Sequence, residues 1–380
     1  MWVEAQKGRD MSTSKLYFMD NLKWFIIWLM VVFHAAMCYM AYAPEWWYVV
    51  DTAEPSILAT AFVCWADIFI MSVMFFVSGY FGIQSLARHD AASFWKRKLK
   101  RIILPWIFGS VFIAPFVTYI ILASRHSTMG FWEFYTTLFC GVMYQQAQYW
   151  YLGALTALYA LMTIFCRCVP SFLRQGEAGK PSTGWAVTLF AVSALSIGFI
   201  SSWMHPDTWS FYAYILVLQP VRIPSHVLAY YAGMRAWKER WFLAGGYTPS
   251  FAKWGISFLL TGAVYLWQKM SFPYTGTDGA AFRWLNALCQ AAFMWASVFF
   301  LPGAFRRIFN TTSPVLAELS ATSYAVYYLH MPILFCIAWA FVEVPINIGI
   351  KYLIVCFLSL AACFFIARQV LLRMESFGPR

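Results

Sequence analysis

Ten apolar stretches, each roughly twenty residues long and separated by short polar loops, limit this 380-residue chain more than any other feature. An α-helix rises about 1.5 Å per residue, so about 20 apolar residues cross the ~30 Å hydrocarbon core of a bilayer. The runs are Leu22–Tyr42, Ile57–Ile83, Ile102–Ala123, Tyr149–Val169, Trp185–Met204, Ile223–Trp237, Phe251–Trp267, Ala280–Leu301, Ser320–Val342 and Ile348–Leu372. The sixth is short and follows Pro220 and Pro224, and Phe131–Tyr144 reads as an additional interfacial or re-entrant helix. Only 11% of residues are charged against 62% hydrophobic, so lipid is the natural solvent for the apolar surface. The expected architecture is all-α: a polytopic transmembrane helical bundle of about ten spans.

Charge orients it. With loops assigned alternately to two sides, 22 of the 27 Lys and Arg fall on one side and five on the other. The positive-inside rule makes the basic side, and both termini, cytoplasmic. The net charge of +11 is then explained by the membrane's inner face, and no nucleic-acid partner is expected. Lys7, Arg9 and Lys15 followed by an apolar stretch and Ala41-Tyr42-Ala43 imitate a signal peptide. The stretch exceeds the usual ~7–15 residues, however, and Pro44 follows the nominal cut, so the segment is read as the first span. Residues 1–380 read as a single transmembrane domain, with 1–21 a cytoplasmic N-terminal segment and no appended soluble domain. The nine cysteines lack zinc-ligand spacing and read as small packing residues; no metal site is expected.

Ionisable groups at bilayer depth are costly and tend to be functional. His34 lies roughly 18 Å into the first span and His330 roughly 15 Å into the ninth, so both rings could face one cavity; Asp67 lies in the outer half of the second. An imidazole with a pKa near 6.5 suits proton transfer, but each group could equally well only bond a neighbouring helix. Arg97 and Arg101, four apart in Lys96-Arg97-Lys98-Leu99-Lys100-Arg101, share a helix face and either grip a phosphate or anchor the span to lipid head groups. Ser78-Gly79-Tyr80 permits close approach of a ligand or of another helix. Trp150 and Tyr151 open the fourth span where an aromatic belt is also expected.

In chain order these segments resemble the acyltransferase-3 family of bacterial integral membrane acyltransferases. The resemblance rests on Asp20-Asn21-Leu22-Lys23 with His34 ten residues beyond, and on Phe75-Phe76-Val77-Ser78-Gly79-Tyr80. It continues in Arg97-x-x-x-Arg101-Ile102-Ile103-Leu104-Pro105, Trp150-Tyr151-Leu152, and Ser323-Tyr324 through Tyr327-Tyr328-Leu329-His330-Met331-Pro332-Ile333. Two positions depart from it: Lys23 stands where an arginine is usual, and Gln148 where members often carry a histidine. The opening and Ala53-Glu54-Pro55-Ser56 look most like the glucan-modifying membrane succinyltransferases.

The resemblance implies an enzyme of the bacterial plasma (inner) membrane that moves an acyl group, acetyl or succinyl, from cytoplasmic acyl-CoA to a hydroxyl of an extracytoplasmic carbohydrate or glucan. Acyl-CoA is a donor substrate, and no permanently bound cofactor is implied. Arg97 and Arg101, assisted by Lys23, would take the CoA phosphates, and the pantetheine arm would pass Ser78, Gly79 and Tyr80. His34 would act as base, directly or through a covalent relay; Asp20 would orient Lys23 or an arginine at the cytoplasmic entrance, His330 would be a second polar contact, and Trp150 and Tyr151 would stack on the sugar. A proton-coupled transporter using His34, His330 and Asp67 is the alternative.

Overall fold

The computed structural model describes residues 15–41, 48–51, 55–272 and 279–376, with side chains as far as 370. Lys7, Arg9, Tyr42, Ala43, Pro44, Ala53, Glu54 and Arg380 lie outside the described residues.

The apolar runs fold as helices in chain order. They are α1 (Tyr17–Met37), α2 (Ile57–Asp67), α3 (Ile70–Arg88), α4 (Ala91–Lys98), α5 (Leu104–Phe108), α6 (Ala114–Ala123), α7 (Phe131–Phe134), α8 (Trp150–Cys168), α9 (Thr183–Ile200), α10 (Ile223–Lys238), α11 (Phe251–Ser271), α12 (Ala280–Ile308), α13 (Pro314–Phe341) and α14 (Ile348–Ser376). A small antiparallel hairpin, β1 (Ser210–Tyr212) and β2 (Leu216–Leu218), lies between α9 and α10. Among the described residues eight helical stretches are long and apolar enough to cross a membrane. The sixth and seventh expected spans are present as α10 and α11 but fall outside that set. At 16 residues α10 is too short, and α11 carries too many polar side chains.

Serine and aspartate set several starts: the side chains of Ser56, Asp90, Ser182, Ser250 and Ser313 each accept from a backbone N–H of the first turn. The core is built around α1, which touches α2, α3, α12, α13 and α14, while α3 packs along α10. Large apolar side chains such as Phe112, Phe199, Leu259 and Phe357 point outward, as a lipid-facing surface requires.

Prolines interrupt the long helices, and at three of them neighbouring side chains repair the break. A proline lacks the N–H that would bond the carbonyl four residues earlier. In lipid such a carbonyl must find another donor. Pro105 frees the Arg101 carbonyl, which accepts from the Tyr324 hydroxyl at 2.8 Å. Pro115 frees that of Val111, which accepts from the Tyr135 hydroxyl at 3.4 Å. Pro332 frees that of Tyr328, which accepts from both the Tyr149 hydroxyl at 2.7 Å and the Gln148 amide at 3.0 Å. Five-residue π segments, Leu99–Ile103 and Gly109–Ile113, join α4 to α5 and α5 to α6, so one continuous helix runs from Ala91 to Ala123. The expected third span therefore starts a further eleven residues upstream of Ile102, and Arg97 and Arg101 stand on its opening turns.

Candidate active site

A cavity of about 280 Å³ opens where α1 ends and where α3, α8 and α10 begin. Its walls include His34, Asp67, Gln148, Trp150, Tyr151, Arg222, His226 and Tyr327, with Trp209, Phe211 and Val217 contributed by the hairpin region. The basic residues gather at the opposite helix ends: Lys23 early in α1, Arg88 at the end of α3, Arg167 at that of α8, Arg235 at that of α10 and Arg306 at that of α12. The cavity thus enters the bundle from the end poor in positive charge.

At its inner reach the two histidines singled out by depth come together. The ring centroids of His34 and His330 are 5.2 Å apart, with the planes inclined by 31°. His34 lines the cavity, whereas His330 is fully buried behind it. His330 Nδ1 donates to the Tyr327 carbonyl at 2.7 Å, which leaves Nε2 with a free lone pair. His330 Nε2 and His34 Nδ1 are both buried without a hydrogen-bond partner among the described residues. The His34 ring faces the cavity, so a neutral imidazole there suits binding and deprotonating a hydroxyl, with His330 behind it.

Tyr151 lies at the floor, its hydroxyl 2.7 Å from Ser78 Oγ. Gly79 is a packing position: a methyl there would sit 2.0 Å from the Tyr230 carbonyl oxygen, and one on the facing Gly233 1.9 Å from that of Phe76. Tyr80 is buried, and its hydroxyl donates to the Trp241 carbonyl at 3.3 Å. At the basic end Asp20 pairs with Lys23 at 2.7 Å, and Lys23 Nζ lies 4.9 Å from the centroid of Phe81. Arg97 and Arg101 are exposed. Arg97 donates to His89 Nε2 at 2.6 Å. Partial burial, with Arg97 and Arg88 nearby, holds His89 below the usual histidine range and keeps that acceptor available. None of Lys23, Arg97 and Arg101 borders the cavity.

The outer mouth holds residues that the sequence argument did not single out as site groups. Arg222 is ion-paired with Asp67 and, at 3.1 Å, with Asp207. Burial opposes ionisation of Asp207, but Lys269, Arg222 and His205 together hold its carboxyl below the usual range. The His226 ring lies between Phe75, at 4.7 Å, and Trp150, at 6.1 Å. His226 also interrupts an apolar run, but it stands three residues from the start of that run, and the depth that selected His34 does not select it. Arg222 and Asp207 carried no such signal, because each lies in a loop where charge is ordinary.

A polytopic helical bundle with a histidine pair at the base of an aromatic-walled cavity, and basic residues at the opposite helix ends, is the architecture of a membrane enzyme. The chain belongs to the acyltransferase-3 family, whose model, described as an acyltransferase domain, matches residues 16–368. It is a multi-pass membrane acyltransferase. It is similar to Glucans biosynthesis protein C of Escherichia coli (strain SMS-3-5 / SECEC), 32% identical over 91 residues, 24% of this chain and 23% of the relative. The protein of the same name from Escherichia coli O1:K1 / APEC is 31% identical over the same share. The matched part is thus about a quarter of the length of these relatives. No solved structure matches the chain.

Proposed function

We propose that this acyltransferase carries an acetyl or succinyl group from acyl-CoA, bound at the basic and cytoplasmic face, to a hydroxyl of a carbohydrate admitted through the cavity from outside the plasma (inner) membrane of a bacterium. The observation that carries the reading is the cavity itself, which enters from the end away from the cations and stops at His34 and His330. Its lining suits a neutral sugar: Trp150, Tyr151 and Trp209 offer faces, and Gln145 and Gln219 are amide-bearing neighbours. The name of the E. coli relatives points to a glucan as the acceptor class.

CoA would be held by Arg97 and Arg101, with Lys23 positioned by Asp20. The thioester would approach between α3 and α8 past Ser78, with Gly79 and Tyr80 setting the packing of α3 along this path. His34 removes the proton of the acceptor hydroxyl as its oxygen attacks the thioester carbonyl; the C–O bond forms, the C–S bond breaks, and CoA leaves as thiolate to be protonated. His330 is the second polar contact. The transport alternative needs Asp67 as a titrating group, whereas Asp67 is engaged by the Arg222 guanidinium.

The test is transfer of label from acyl-CoA to a neutral glucan in membranes carrying His34→Gln, with insertion checked. A general base contributes about 10²–10⁴ in rate, and a loss in that range is expected. Turnover at the wild-type rate would remove His34 from the chemistry.

A further inference from the structure

We infer that Gln148 is a positioning residue for the histidine pair, acting through the backbone carbonyl that Pro332 leaves free; the inference rests on the role proposed for His34 and His330.

The argument starts from Pro332, inside α13 and two residues beyond His330. Its missing N–H leaves the Tyr328 carbonyl without a helical partner, and its ring pushes that carbonyl outward. The two other proline breaks described above are each closed by one tyrosine hydroxyl. Here there are two donors, and both come from the turn Ala147–Tyr149 that precedes α8. The same turn is held from the opposite direction, since the Tyr327 hydroxyl donates to the Gln148 carbonyl at 2.7 Å. Three hydrogen bonds therefore fasten Tyr327 and Tyr328 to Gln148 and Tyr149, and the Tyr327 carbonyl in turn fixes His330 Nδ1.

Ala147, immediately before Gln148, has φ of +45°, a left-handed conformation that a non-glycine residue adopts only when its surroundings impose it. Gln148 is 3% exposed, lines the cavity, and keeps Oε1 unpartnered among the described residues. A side chain serving only to close the helix break would be redundant beside Tyr149. One that sets where the His330 ring points would not be.

Gln148→Met keeps the length of the side chain, removes the amide donor and leaves Tyr149 in place. The expected result is a fall in kcat of roughly 10- to 100-fold, in line with small misplacements of a reacting group, with KM for acyl-CoA and for the glucan within about twofold of wild type. Tyr149→Phe should give a smaller loss of the same kind. Adding Pro332→Ala restores an N–H at position 332 that can bond the Tyr328 carbonyl, and should recover most of the kcat lost in Gln148→Met. Wild-type kcat in Gln148→Met overturns the inference. So does a loss that Pro332→Ala leaves unrelieved. His34→Gln assayed alongside separates the two readings: an active His34→Gln defeats the proposed chemistry, whereas an inactive one beside a fully active Gln148→Met defeats only the positioning role.

Discussion

Gly79→Ala tests whether the Ser-Gly pair of α3 serves helix packing or donor binding. The added methyl carbon would sit 2.0 Å from the Tyr230 carbonyl oxygen and 3.2 Å from Tyr230 Cα. A close C–H···O contact is about 3.3 Å, so the two helices must separate by roughly 1.3 Å locally. The obstacle is backbone of a packed helix, which cannot swing aside as a side-chain tip can. Forced separation of that kind costs typically about 1–3 kcal/mol, and here the upper end is expected. Gly233→Ala meets Phe76 oxygen at 1.9 Å and should cost as much. Gly184→Ala, at the start of α9 with nothing within 4 Å, is the control and should be neutral or slightly stabilising. Unfolding of the purified proteins in detergent, monitored by thermal or denaturant titration, reads the difference. If Gly79→Ala were as stable as Gly184→Ala and instead raised KM for acyl-CoA, the packing argument would be refuted and donor contact at Gly79 would take its place.

Other outcomes follow from the charged groups. Lys351 and Asp51 pair with side chains 4% exposed each, so Lys351→Met should destabilise the fold by about 3–5 kcal/mol, and adding Asp51→Leu should recover most of it, measured by the same unfolding assay. His89 protonates only below the ordinary value near 6.5, so the bond from Arg97 is present above that pH and is lost as pH falls through the lowered pKa of the folded protein. Acid should then free Arg97 and add a positive charge beside it. CoA binding by wild type should strengthen relative to His89→Ala as pH falls below the ordinary histidine range, and parallel pH profiles for the two proteins would refute the coupling.

Much of the architecture was open to reading before any coordinates. Long apolar runs fold as helices because a backbone in lipid must satisfy its own hydrogen bonds. The depth of His34 and His330 followed from counting residues along a helix of fixed rise, and the two rings do meet. The nine cysteines are free thiols, of which four are buried, two intermediate and three exposed, so the packing role read from the sequence fits only some of them. The number of crossings was less secure, since α10 and α11 sit at the margin of length and apolarity where periodicity and composition stop discriminating.

Order along the chain, the approximate place of each helix and the segregation of positive charge are local or additive properties, and the sequence alone determined them. Tertiary structure decided which groups share a space. Arg222, unremarkable in a loop, becomes the shared partner of Asp67 and Asp207 only when the loop between α9 and α10 folds over the mouth of the cavity. Gly79 looks equally fit for a ligand or a helix until α10 is laid against it. Gln148 reaches the proline break of α13 across 180 residues of sequence. Such contacts depend on helix crossings, and side chains hundreds of residues apart carry no mark of them in a single chain's sequence.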